Sequence, residues 1–182
     1  MRTIIFTLLI ASLVVACGPK ISSEQQEHLD ELVITQDTLN AWFARIDNPS
    51  FDSILTVFNA RKDFIKNEMK DTLNKDAVIL LNAYLLQAND YDFMQENFPV
   101  MKAELETATK QLELMQKDID AGVLGAEKFE EYIEIEYENS RVLQNELNRL
   151  IRTYRSQIEL YHTTVEEVDS IINDYKLRKG ES

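Results

Sequence analysis

Apolar residues recur at threes and fours from about Ser23 to the end of this chain, and the strict alternation that marks a half-buried strand is essentially missing. The pattern predicts an all-α fold. Leu29, Leu32, Gln36, Leu39, Phe43 and Ile46 define a first stripe. Ser22 or Ser23 is placed to cap its start, and Asp47, Asn48, Pro49 and Ser50 to end it. A second helix begins near Ser50, carries Phe51, Ile54, Phe58, Ile65, Met69 and Leu73 on one face, and frays around Asn74.

The third segment is the most regular. Leu80, Tyr84, Gln87, Tyr91, Met94, Phe98, Met101, Leu105, Ala108, Leu112, Met115 and Ile119 follow in alternating fours and threes, the seam of a heptad repeat. The seam keeps phase through Pro99, which predicts one long helix kinked there; a break with Pro99 restarting a helix at its first turn fits the same spacing. Gly122 and Gly125 end the segment. From Ala126 to Arg178 there is no Gly or Pro, and Phe129, Tyr132, Leu143, Leu147, Leu150, Tyr154, Ile158, Tyr161, Val165, Val168, Ile172 and Tyr175 form a second seam, on a helix about 80 Å long. Folding the two seams together at residues 122–125 pairs Met115 with Tyr132, Met101 with Leu147, Phe98 with Leu150 and Met94 with Tyr154. Glu136, opposite Leu112, is the worst-fitting layer, and the extra four-residue step at Ile158 is a stutter. Ile79, Leu81, Leu85 and Leu86 point off the seam, and the first two helices are expected to cover them. The expected architecture is therefore an elongated three- to four-helix bundle with a long antiparallel coiled-coil-like hairpin of residues 77–119 and 129–175.

Composition narrows the class. The 182 residues include four Gly, three Pro and one Cys. Glycine at roughly 2% lies far below the usual 7% or so, which speaks against an all-β fold built on tight turns. Lys and Arg number 19 against 32 Asp and Glu, for a net charge of −13. Such a balance repels phosphate backbones, so nucleic acid is not an expected partner.

Residues 1–17 carry one positive charge and then an apolar run ending in small residues, the pattern of a secretory signal. The run is too short for a membrane helix, which needs roughly 20 apolar residues, and Gly18 and Pro19 follow it. Leu13-Val14-Val15-Ala16-Cys17 resembles the lipobox of bacterial lipoproteins. That resemblance implies removal of residues 1–16 and diacylglyceryl and acyl (palmitate-type) chains on Cys17. It also implies anchoring in the cell envelope, and Gly18 rather than Asp after the Cys favours the outer membrane. Losing residues 1–16 takes away only Arg2, so the net charge moves from −13 to about −14 and lipid alone would hold the body to a membrane. The body as a whole is similar to long acidic helical lipoproteins described as cell-wall-binding. The expected division is a signal peptide at 1–16, a lipidated tether at 17–23, one helical domain at 24–178 and a disordered tail at 179–182.

No residue set reads as an active site, and no cofactor or metal is expected. Glu159 and His162 have the spacing of a Glu-x-x-His motif, but the other histidine, His28, is preceded by Gln25 at the matching position. Asp90, Tyr91 and Asp92 lack the Gly and bidentate Glu of a calcium loop. The long last helix is polarised instead: Glu130, Glu131 and Glu134 crowd its start, while Arg149, Arg152 and Arg155 follow in its middle. Solvated faces that complement the helix dipole account for this, and docking surfaces for a partner, or for an antiparallel copy of the chain, are the sharper reading. The expected function is a non-enzymatic envelope spacer, scaffold or adaptor that binds another envelope protein or the wall polymer. The alternative is a periplasmic chaperone-like or regulatory protein that holds clients between helical arms, which requires an exposed apolar groove.

Overall fold

A computed structural model describes residues 20–46, 49–70 and 73–180, and among them the backbone is helical with no strand. The chain order is α1 (Ser23–Ala44), α2 (Pro49–Asn67), α3 (Lys75–Leu86), α4 (Ala88–Asp120) and α5 (Ala126–Lys179). None of these helices is long and apolar enough to cross a membrane. Residues 1–19, with Cys17 and the lipobox, lie outside the described residues.

Local chemistry sets the helix ends. Ser22 Oγ accepts from the Gln25 N–H at 3.1 Å while Gln25 Oε1 accepts from the Ser22 N–H at 2.8 Å, a reciprocal cap on α1. Asn74, expected to close the second helix, opens α3 instead: its Oδ1 accepts from the Ala77 N–H at 2.8 Å, and α2 has already ended at Asn67. The turn between α4 and α5 is a Schellman closure. Gly122 takes φ +68°, its N–H donates to Ile119 O, and the Val123 N–H reaches back to Asp118 O, both at 2.9 Å. Helix α5 runs on through Lys179, and Gly180 caps it at φ +74°.

The expected single helix over residues 77–119 is two. The break falls at Gln87 rather than at Pro99, which sits inside an uninterrupted α4. At Gln87 the N–H donates to Tyr84 O, three residues back, a tightening that keeps φ and ψ helical (−64°, −18°). Tyr84, Gln87 and Tyr91 consequently stay on one buried stripe across the break. Pro99 is exposed, as is Gln95, whose carbonyl it deprives of an N–H partner, and the helix continues through both.

Two apolar clusters form the core. The larger takes Leu39 and Phe43 from α1, Phe51, Phe58 and Ile65 from α2, Leu81 and Tyr84 from α3, Tyr91 to Ala108 on α4, and Leu143, Leu147, Leu150, Val168 and Ile172 from α5. Phe51 lies 5.0 Å from Phe98 and 6.2 Å from Tyr154, ring centroid to centroid, so aromatic contacts tie α2, α4 and α5 together. The smaller cluster, near the Gly122 turn, joins Leu29 and Leu32 of α1 to Leu112, Met115, Leu124, Phe129 and Ile133. Antiparallel contacts between α4 and α5 run from Glu104 beside Glu146 to Gln157 donating to Asp90 at 2.7 Å.

Several seam positions differ from expectation. Ile133 is buried where Tyr132 was expected, and Tyr132 is half-buried, because α1 covers that side of α5. Gln157 is buried while Tyr154, Ile158, Tyr161 and Val165 are half-buried, which places a polar residue inside the stutter. Leu81 is covered as expected and Leu85 half-covered, but Ile79 and Leu86 stay 57% and 71% exposed on the outer face of α3.

Candidate interaction surface

The six charged residues singled out on α5 fall into two groups. Glu130 and Arg149 serve the bundle: Glu130 Oε1 accepts from Gln25 Nε2 at 2.6 Å, and the Arg149 guanidinium lies 4.4 Å over the Phe93 ring. Glu131, Glu134, Arg152 and Arg155 are exposed and have no side-chain hydrogen bond or ion pair among the described residues. Arg141, between the two patches, is occupied locally by Glu138 at 2.6 Å.

The residues weighed for metal chemistry are dispersed. Glu159 and His162 are both exposed, and the His162 ring packs edge-on 5.6 Å from Tyr161. His28 lies on α1, where its carbonyl accepts from the Tyr137 hydroxyl at 3.1 Å. Asp90 accepts from Gln157, and Asp92 is exposed. Among the described residues no three His, Cys, Asp or Glu side chains gather as a metal site would require.

The structure assembles a polar cluster that spacing alone does not disclose. Arg61 of α2 holds Asp169 of α5 through two bonds of 2.6 Å, from Nε and Nη2. That bond raises the Arg61 pKa, against the cost of burial. Nearby, the Tyr91 hydroxyl, Gln87 Oε1 and Gln157 Oε1 are buried with no hydrogen-bond partner among the described residues, and the Tyr84 hydroxyl and Arg61 Nη1, though the guanidinium is close enough to act on the phenol, make no bond of good geometry. Burial pushes the Tyr84 hydroxyl up to about 12, opposed by the Arg61 guanidinium, and pushes Tyr91 up as well. Both phenols thereby stay neutral further into the alkaline range than a free tyrosine does. The signal was present as two tyrosines and a glutamine on one heptad seam.

A surface feature was missed altogether. Between α1 and α4 lies an open trough of about 520 Å³, lined by Asp30, Val33, Ile34, Asp37, Thr109, Leu112, Glu113, Gln116 and Lys117. Interhelical bonds hold its walls together, from Gln26 Nε2 to Gln116 Oε1 at 2.9 Å and from Asn40 Nδ2 to Thr109 Oγ1 at 3.0 Å. Its sequence signal is Val33 and Ile34, two adjacent β-branched residues off the α1 core stripe with an aspartate on either side.

No protein-family model matches this chain, and no curated protein or solved structure matches it significantly.

Proposed function

We propose that this chain is a lipid-anchored envelope protein that works by binding, as a spacer, scaffold or adaptor for another envelope protein or the wall polymer. The anchor reading is carried by Leu13-Val14-Val15-Ala16-Cys17, with Cys17 as the lone cysteine of the chain. Acyl chains on Cys17 would each add about 0.8 kcal/mol of membrane affinity per buried CH₂, enough for stable attachment when two are present. What supports binding as the mode of action is a fold that presents long helical faces, with Glu131, Glu134, Arg152 and Arg155 exposed on α5.

Mass spectrometry of membrane-extracted protein tests the anchor: acyl mass is expected on a peptide that begins at Cys17. A Cys17→Ala protein that stays equally membrane-bound would overturn it. For the binding role, recovery of partners from envelope extracts is expected to fall when Glu131 and Glu134, or Arg152 and Arg155, are reversed in charge, and to depend on salt. Unchanged recovery with both patches reversed would remove α5 from the contact surface. Client holding is the second reading, and the apolar trough between α1 and α4 is the observation that favours it.

A further inference from the structure

We infer that the trough between α1 and α4 seats an amphipathic helix of a partner protein, one that carries Lys or Arg beside its apolar stripe. The inference rests on the reading that the chain works by binding, and it needs neither the lipid anchor nor the charged faces of α5.

Helix α1 buries Leu29, Leu32, Leu39 and Phe43 to hold the bundle, and Val33 and Ile34 take no part in that. They stand 37% and 66% exposed on one wall, while Leu112 forms the floor at 5%. Apolar side chains grouped along a depression, with charges at the rim, are the usual mark of a contact surface rather than of random surface composition. The trough is also open along its length. A small ligand normally has about 70–90% of its surface enclosed, which two low helical walls do not provide. A rod-shaped occupant fits better. The lining spans residues 30–37 of α1 and 109–117 of α4, which at 1.5 Å per residue is about 10–12 Å. That matches roughly two turns of a docked helix, whose apolar residues at i, i+3, i+4 and i+7 would descend between the walls.

Charge selects the occupant. Asp30 and Asp37 stand on one wall and Glu113 on the other, with Lys117 the single cation in the lining. Asp30 gives one oxygen to Gln26 Nε2 at 2.9 Å and keeps the other for a partner. A helix with acidic flanks would set carboxylate against carboxylate, whereas a basic one gains encounter rate and register from the same rim. A second copy of this chain is a poor occupant. The net charge is −13, and on α5 the described exposed large apolar side chains are Ile135 and Tyr137, set among Glu134, Glu136 and Glu138, and Leu177, which stands alone at the basic end. One leucine is not a stripe.

The test uses the purified full chain, with buffer alone as the blank. A fluorescent leucine–lysine peptide with leucines at i, i+3, i+4 and i+7 is titrated by anisotropy, beside a permuted peptide of equal composition and a peptide with Glu in place of Lys. The striped basic peptide is expected to bind at least tenfold more tightly than either control. Ile34→Asp with Val33→Asp should weaken it at least tenfold, and Asp30→Lys with Asp37→Lys should weaken it and flatten its salt dependence. Leu114→Asp, an exposed apolar position elsewhere on α4 and outside the trough lining, should leave binding unchanged and serve as the control for fold. Equal binding of the permuted peptide, or affinity indifferent to Ile34→Asp with Val33→Asp, overturns the proposal. So does a wild-type dimer that these substitutions convert to a monomer, since the trough would then belong to a second copy. Partner recovery from extracts that persists while the peptide fails to bind would sink the trough and leave the binding role standing.

Discussion

Two of the places where polar side chains interrupt the core of this bundle are built differently. Between α1 and α4, Gln36 Nε2 donates to the Leu105 carbonyl at 3.1 Å, Thr109 Oγ1 donates to the same carbonyl at 2.9 Å, and Asn40 donates to Thr109. The Gln36 and Asn40 amide nitrogens and the Thr109 hydroxyl each have a specific partner there, so the layer fixes how α1 lies on α4, at a net gain of about 1 kcal/mol per bond. Around Tyr84, Gln87, Tyr91 and Gln157 the rings and stems are packed, but several oxygens have no partner among the described residues. Stability in that layer comes from carbon, and the polar atoms subtract from it. The first layer should therefore suffer when its polar atoms are removed, and the second when its rings are.

The largest effect tests the second half of that contrast. Phe58 is fully buried, with its ring 4.3 Å from Tyr91 and 4.9 Å from Tyr84, centroid to centroid. Phe58→Ala is expected to cost about 3–5 kcal/mol in urea unfolding. A cost below about 1 kcal/mol would show that aromatic packing does not hold this layer. Next comes the ion pair at its edge. Asp169→Ala strands Arg61, whose side chain is 15% exposed, but the 44% exposure of Asp169 admits screening, so a loss of about 2 kcal/mol is expected rather than the full value for a buried pair. Adding Arg61→Met should recover part of that loss, because the unpaired charge is gone.

The same contrast explains what could be read along the chain. The all-helical class and most core positions were legible, since Leu29, Phe58, Met94, Leu105, Leu147 and Val168 sit where three-and-four spacing places them, and all are buried. The break at Gln87 was not. It involves no Gly or Pro, only a hydrogen bond shifted from four residues to three, which leaves the apolar phase intact. Nor could periodicity foretell that Arg61 reaches Asp169, 108 positions away, because that contact depends on how α2 lies against α5. The trough escaped for a related reason: a stripe analysis finds what a helix buries, and Val33 and Ile34 matter because they are left over. Of the charged candidates, Glu130 and Arg149 were legible as charges, but their packing roles were not.

Alkaline titration sharpens the comparison with a smaller effect. The folded pKa of Tyr84 is raised to about 12, and that of Tyr91 is raised too, above the unfolded value of about 10. The unfolded chain releases these protons first. The stability associated with the neutral phenols is therefore complete below about pH 10 and lost as pH rises from there toward the folded values, by up to about 1.4 kcal/mol per pH unit for each tyrosine. Tyr84→Phe and Tyr91→Phe should leave neutral-pH stability close to unchanged and flatten the alkaline decline in thermal melts. Equal decline in the double variant would place its cause elsewhere. Gln36→Leu supplies the opposite arm. Removing a bonded amide of similar size should cost about 1 kcal/mol at neutral pH, whereas Tyr91→Phe should cost close to nothing.

The smallest expected effect concerns Glu136, which lies half-buried on α5. Burial raises its carboxyl pKa above the ordinary range, and the Asn139 amide, at a long 3.4 Å, offsets this only in part. A carboxyl whose folded pKa is raised binds its proton more tightly in the fold than in the open chain. Its contribution is thus fully present below the unfolded value near 4.3 and is lost as pH climbs through the folded one. The wild-type chain should gain stability from this site on mild acidification, and Glu136→Gln should hold that gain constant into neutral buffer, stabilising the neutral protein by under about 1 kcal/mol because solvent still reaches the site. Glu104 is raised in the same sense, by burial first and the neighbouring Glu146 second, so the acid-side gain should shrink rather than vanish in the single variant. Thermal melts in mildly acid and neutral buffer measure both quantities. A Glu136→Gln protein less stable than wild type at neutral pH would mean that the carboxylate is bonded rather than tolerated, and would move this site to the satisfied side of the comparison.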